Sequence, residues 1–247
     1  MVAGKPPSQG LVVVTGEIAQ APIGILMLDT AFPRVPGDMG NAATWPFPVL
    51  YRVVAGATAK RVVLDGAPGL LPAFVAAARE LVGEGAGAIT TTCGFLSIHQ
   101  AELAAAVSVP VATSALMQVP WVQATLPAGR RVGVVTVSAS TLTPAHLAGA
   151  GVPADIPIAG VEPGGEFFRV IVNAEKRCLD VALAQREVIA AGRTLLARHP
   201  DVGAIVLECT NMPPYAAPLQ AQTGVPVYDA YSLISWLQAG LHPRRFQ

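Results

Sequence analysis

The segment Gly87-Ala88-Ile89-Thr90-Thr91-Thr92-Cys93 recurs as Gly203-Ala204-Ile205-Val206-Leu207-Glu208-Cys209, at an offset of 116 residues. At the same offset, and with no gap, Val109-Pro110-Val111 meets Val225-Pro226-Val227. Two matches in one register imply two related halves. Each half ends a short apolar strand in a cysteine. Two thiols related by a pseudo-twofold axis can face one small molecule from opposite sides.

Working outward, short aliphatic or β-branched runs alternate with longer Ala/Leu-rich runs. The strands predicted are Ile23–Leu28, Arg61–Leu64, Ala86–Thr91, Val109–Ala112, Arg131–Thr136, Ile156–Ala159, Val202–Leu207 and Val225–Tyr228. The helices predicted are Leu70–Gly83, Leu96–Val107, Ala115–Thr125, Thr143–Gly149, Glu175–Arg198, Pro214–Gln222 and Tyr231–Gly240. Such alternation predicts βαβ units and parallel sheets, and uniformly apolar strands predict helices on both faces. The expected fold is α/β: two pseudo-symmetric lobes, each a parallel sheet covered by helices, with the active site in the cleft between them. Gly24-Ile25-Leu26 opens the first half as Gly133-Val134-Val135 opens the second. This places residues 1–110 plus 225–247 in the first lobe and 111–224 in the second.

Composition narrows the function. Hydrophobic residues are 52% and charged residues 13%, with zero formal net charge, and no basic cluster exceeds Arg244-Arg245. That argues against a nucleic-acid surface. Met1 to Gly10 lacks the apolar core of a secretory leader, and no apolar run reaches the ~18 residues of a membrane span. Three cysteines without framework spacing read as free thiols in a reducing cytoplasm. Cys178 falls inside the predicted helix Glu175–Arg198, without a repeat partner, and reads as structural. His99, His146, His199 and His242 have no metal-ligand spacing. Gly83-Glu84-Gly85-Ala86-Gly87 precedes a strand, the wrong order for a dinucleotide loop. No metal, pyridoxal phosphate or nucleotide is therefore expected.

Cys93 and Cys209 should each sit where a strand gives way to a helix. There the helix dipole and unpaired N–H groups lower a thiol pKa from about 8.5 toward neutrality, giving a thiolate base and a thiol acid. A single buried cysteine would be read as apolar filler; two at equivalent positions point to chemistry. Backbone N–H groups of Gly94, Phe95, Thr210 and Asn211, with the Thr210 hydroxyl and Asn211 amide, suit a carboxylate, though plain helix capping uses the same geometry. Thr113-Ser114 and Thr136 to Ser138 end strands in the second lobe and read either as lining the cleft or as ordinary helix caps, and Thr92, beside Cys93, reads as a substrate contact. Glu208 reads either as a buried acid with a raised pKa or as a side chain pointing away from the site. The irregular stretch Asp29–Pro48, with Pro33, Pro36, Pro46 and Pro48, leaves the first strand at the ligand-binding edge of the sheet. It reads either as an ordinary surface loop or as a substrate-covering loop, with Arg34 pairing a substrate carboxylate or serving on the surface, and Trp45 and Phe47 excluding water.

Thr91-Thr92-Cys93-Gly94-Phe95 and Glu208-Cys209-Thr210-Asn211, on a duplicated α/β chain, resemble the aspartate/glutamate racemase superfamily. That group includes glutamate, aspartate and hydantoin racemases, maleate isomerase and arylmalonate decarboxylase. The resemblance covers nearly the whole chain. It matches Asp29-Thr30 to the family's Asp-Ser position, and Cys93 and Cys209 to its two catalytic cysteines. It implies a cytoplasmic, cofactor-free isomerase, a racemase or epimerase acting beside a carboxylate or carbonyl of a small molecule such as an amino acid or hydantoin. It also implies a possible homodimer. Decarboxylases of the group keep one cysteine, so two favour racemisation. The motifs depart from amino-acid racemases, which carry Asn-Thr after the first cysteine, Thr-His after the second and Gly before the second. Here the pocket gains an aromatic ring and loses a helper histidine. A cysteine-dependent isomerase or decarboxylase of a small dicarboxylate, and a small-ligand sensor, stand as the alternatives.

Overall fold

The computed structural model describes residues 20–161, 163–175, 178–244 and 246; Met1–Gly10 and Arg245, on which two expectations above rest, lie outside them. The described residues form two four-stranded sheets. The first contains β1 (Ile23–Leu28), β2 (Val49–Val54), β3 (Ala88–Thr91) and β4 (Val111–Ala112), in the order β2-β1-β3-β4. The second contains β5 (Arg131–Thr136), β6 (Ile158–Gly160), β7 (Val202–Leu207) and β8 (Val227–Tyr228), in the order β6-β5-β7-β8. Every pairing is parallel. The helices are α1 (Ala59–Val63), α2 (Leu71–Gly83), α3 (Gln100–Ala106), α4 (Val119–Thr125), α5 (Pro144–Gly149), α6 (Glu166–Ile171), α7 (Val181–Arg198), α8 (Ala216–Thr223) and α9 (Ala230–Leu241). Among the described residues, no helix is long and apolar enough to cross a membrane.

The two sheets have the same order, so the duplication read from the sequence is structural. Each inner strand is buried along nearly its whole length. The glycines that open the halves are needed for equivalent packing. A Cβ on Gly24 would lie 2.7 Å from Ile89 Cδ1 and 3.0 Å from Ala86 Cβ. A Cβ on Gly133 would lie 2.8 Å from Leu195 Cδ2 and 3.1 Å from Val202 Cγ2. In each half the first strand therefore sits hard against the helix and strand of the cysteine unit.

Strand order also fixes where a ligand fits. The chain runs from β1 outward to β2, then returns to place β3 on the other side of β1. The crevice beyond β1 and β3 is a topological switch point, and the β5/β7 ends form its equivalent. The residues following all four strands converge there.

Several expectations change. Arg61–Leu64 belongs to a helix, not a strand: Thr58 caps α1, its hydroxyl accepting the Arg61 N–H at 3.2 Å. The strand in that unit is Val49–Val54, in register with β1. Val111–Ala112 completes the first sheet and Val227–Tyr228 the second, so each fourth strand stays with its own half; α9 packs back onto β3 and β4. Cys178 is exposed and lies ahead of α7, whose cap is Asp180, while Glu166–Ile171 forms an unanticipated helix.

Filling the shared packing site should be costly in both halves. Gly24→Val and Gly133→Val are each expected to lose about 1–3 kcal/mol through overpacking. Gly240→Ala, in α9 with nothing within 4 Å of the new methyl, should gain about 0.5–1 kcal/mol. Urea midpoints of the three variants test the contrast.

Candidate active site

One tight pocket, with about 360 Å³ of space counting its mouth, lies where the four strand ends meet. Leu28 and Thr30 follow β1; Thr92, Cys93, Gly94 and Phe95 follow β3; Val137 follows β5; Glu208, Cys209, Thr210 and Asn211 follow β7. Phe32, Arg34, Ala59, Val63, Ile171 and Val172 close the walls. Both thiols are buried and line this single space.

The halves are tied at this point. The Thr210 hydroxyl donates to the Thr92 carbonyl at 2.6 Å. The loop after β1 crosses to the second half: Asn211 Nδ2 donates to Asp38 Oδ2 at 2.5 Å, and Met39 N donates to the Thr210 carbonyl at 3.3 Å. Arg34 lines the pocket with its charge already matched, bonded to Asp38 Oδ1 at 2.7 Å and to Thr30 Oγ1 at 2.8 Å. Its guanidinium lies 4.7 Å from the Phe32 ring centre. Among the described residues it is the one cationic side chain lining the pocket.

The thiols occupy equivalent settings. The Phe95 N–H donates to the Cys93 sulfur, and the Asn211 N–H to the Cys209 sulfur. The Cys209 thiol also contacts Asn211 Oδ1 at 3.5 Å. Because Nδ2 of that amide is committed to Asp38, Oδ1 is an acceptor, and Cys209 is held as S–H. Neither cysteine starts an α-helix: Cys93 caps a 3-10 turn over Gly94–His99, and a turn separates Cys209 from the 3-10 turn Pro213–Tyr215. Contrary to the sequence-based expectation, both thiol pKa values are pushed up. Burial is the main cause and the Glu208 charge the next; the single N–H bond on each sulfur does not offset them.

Glu208 is fully buried and lines the pocket. Its Oε2 accepts from the Thr136 hydroxyl at 2.7 Å, and the carboxylate accepts the Val137 N–H. Oε1 has no hydrogen-bond partner. Burial raises its pKa to about 7 against those two bonds.

Of the anticipated site residues, Cys93, Cys209, Thr30, Arg34, Thr92, Gly94, Phe95, Thr210 and Asn211 line the pocket. Three do not. Asp29 is exposed and accepts the Gly56 N–H at 3.0 Å. Thr136 stands behind Glu208. Trp45 is buried, stacked 5.7 Å from Tyr231, with Nε1 bonded to the Met39 carbonyl; it and Phe47 join the core instead of screening a substrate. The Thr210 hydroxyl and Asn211 amide, expected to hold a carboxylate, are consumed in joining the halves. Sequence reading gave no role to Ile171 and Val172, because α6 was not anticipated. Among the described residues, no group of three or more His, Cys, Asp and Glu is arranged to hold a metal.

A duplicated parallel α/β fold with two buried cysteines in one pocket between its halves is the setting for the comparisons with known proteins. The chain belongs to the Asp/Glu/hydantoin racemase family, whose sequence model matches residues 115–237. It is 31% identical over 223 residues to a dimethylsulfoniopropionate lyase of Durusdinium sp. clade D, covering 87% of this chain and 73% of that protein. It is 31% identical over 229 residues to dimethylsulfoniopropionate lyase 5 of Emiliania huxleyi, covering 88% of this chain but 45% of that longer protein. Crystalline arylmalonate decarboxylase superposes with a TM-score of 0.61 at 18% identity, over 92% of this chain and 95% of that one.

Two outcomes follow from this geometry. Trp45→Ala should cost about 3–5 kcal/mol, as for a core aromatic, where a surface lid residue would cost little; thermal and urea unfolding measure it. Glu208 adds a pH slope. Its carboxyl keeps a proton in the folded state up to about pH 7 that the unfolded chain releases near 4.5. Stability should therefore be highest below that window and fall by about 3 kcal/mol as pH rises through it. Glu208→Gln should flatten the slope in urea titrations at the two ends of the window.

Proposed function

We propose that this protein is an enzyme removing a proton from the carbon next to the carboxylate of a small acid, with expulsion of a leaving group from the neighbouring carbon. The observation carrying this reading is that Cys93 and Cys209 line one tight pocket with largely apolar walls. The substrate class we favour is a β-onium propionate of the dimethylsulfoniopropionate type, supported by the likeness to the lyases above.

In this scheme Cys93 is the base. Cys209 gives its S–H to Asn211, so Cys93 is the sulfur able to lose a proton. The Cys93 thiolate takes the α-proton. The C–H electron pair becomes the new C=C bond, and the Cβ–S bond breaks with its pair leaving on the neutral sulfide. The remaining products are an acrylate and one proton. In this scheme Arg34, shared with Asp38, and the backbone after Cys93 hold the substrate carboxylate. Walls of Leu28, Val63, Phe95, Val137 and Ile171 exclude water, which favours a sulfur base with a raised pKa.

A second reading, racemisation, is favoured by the Cys209 thiol in the same pocket. It would return a proton to the opposite face and leave the leaving group in place.

Headspace measurement of dimethyl sulfide from the wild-type protein should detect release, with deuterium wash-in at chiral amino acids, hydantoins and arylmalonates run in parallel. Cys93→Ala is expected to lower kcat by about 10²–10⁴, and Cys209→Ala by less, with folding retained by circular dichroism. Racemisation without elimination would move the assignment to the second reading. Full activity of Cys93→Ala on every accepted substrate would remove both.

A further inference from the structure

Each cysteine turn is gripped by the opposite half. Phe95 and Asn211 hold the same place in the repeat, two residues beyond their cysteines. Each donates its backbone N–H to the sulfur before it. Each also has its side chain held across the seam. Asn211 Nδ2 donates at 2.5 Å to Asp38, which follows β1 of the first half. The Phe95 ring meets the ring of His146, which follows β5 of the second half, with 5.0 Å between centres and 70° between planes. The first grip is a hydrogen bond. The second is an aromatic contact made by an ionisable ring, and both rings are buried.

The start of α5 fixes His146 in one protonation state. The Thr143 N–H donates to Nδ1 at 3.1 Å, and the Thr143 hydroxyl lies 2.8 Å from the same atom. A backbone N–H needs a lone pair to donate to, so the ring is neutral with its hydrogen on Nε2. Nε2 is buried with no hydrogen-bond partner. A proton gained on Nδ1 would set two donors against each other at the helix cap and leave a charged N–H unmet at Nε2. The seam has no slack to absorb that change. Farther along α5, Gly149 faces the Ser97 carbonyl so closely that a Cβ could not fit.

We propose that His146 is the positioning residue of the Cys93 turn: as a neutral ring it holds Phe95, and with it the N–H on the Cys93 sulfur and the aromatic wall of the pocket, and on gaining a proton it releases that turn. Acid therefore opens the pocket from the Cys93 side, while the Asp38 grip on Asn211 stays closed. The inference concerns the shape of the pocket and applies to elimination and racemisation alike. The titratable groups around His146 are His99, on the Phe95 turn, and Glu102 of α3, which acts on His99. His99 Nε2 is also buried without a partner. Burial first, and His99 next, push His146 below the usual histidine value of 6.5. A depressed histidine pKa leaves the closed turn fully stable above that value and weakens it as pH falls below.

The test is amide hydrogen exchange of the substrate-free protein between about pH 5.5 and about pH 7.5, read by mass spectrometry on peptides covering Gly94–His99. Rates are corrected for the intrinsic pH dependence of exchange, and peptides of α7 serve as the reference. The parent should open this turn about tenfold or more readily at the lower pH. His146→Phe keeps a ring against Phe95 but cannot titrate, so the turn should stay closed at both pH values. His146→Gln restores a Thr-x-x-Gln capping box but removes the ring, so the turn should be open at both. The two variants thus lose the pH dependence at opposite levels, and either decides the question if the other misfolds. His99→Gln should keep the acid opening. A parent turn equally closed at both pH values overturns the inference. So does an acid opening that survives in the His146 variants or disappears in His99→Gln.

Discussion

The hydrogen bond from the Thr210 hydroxyl to the Thr92 carbonyl joins the two halves at the one place where both cysteines emerge. Everything in the pocket depends on that closeness. Each sheet delivers its ligand-binding edge at a switch point, but a switch point alone is an open crevice. Bringing two together makes four strand ends face inward, and the walls become largely apolar because strands covered on both faces are apolar to their tips. The loop after β1 strengthens the join by placing Asp38 between Arg34 and Asn211, so that one carboxylate neutralises the pocket's cation and orients the amide that fixes Cys209.

Closure sets the electrostatics. A thiol in a shallow, wet site at a helix start would ionise readily. Here dehydration exceeds the effect of the single N–H reaching each sulfur, so three acidic groups share a space with little capacity for charge. The carboxyl is the most acidic of them. A pair of sulfurs that looks symmetric in the backbone is thereby made unequal by side chains: one faces Asn211, the other abuts the turn on which Glu208 rests.

The duplication, the parallel sheets and the placing of both cysteines beside Thr92, Gly94, Phe95 and Asn211 were legible in the sequence, because strand burial and repeat register are local, periodic signals. What was not legible depends on tertiary context. Arg61–Leu64 has strand-like composition, but Thr58 caps it as a helix. Trp45, in a proline-rich loop, looked free to cover a ligand, yet Tyr231 and Phe47 offered it more buried contact. Thr210 and Asn211 had the right chemistry for an anion and were used to hold the halves together instead. The direction of the thiol pKa shifts could not be read from sequence, since it turns on how completely water is removed.

The contact between Gly94 and residue 208 has a consequence for which substitutions the pocket tolerates. A Cβ on Gly94 would collide with Glu208 Oε1 and would also lie 2.5 Å from the Glu208 backbone carbonyl. Trimming the side chain at 208 therefore leaves position 94 closed to anything larger than glycine, while the bare backbone at 94 leaves the side chain at 208 free to change. The dependence runs one way: the chain path of the second half dictates the residue after the first cysteine, and the acid at 208 is a choice made within the space so left.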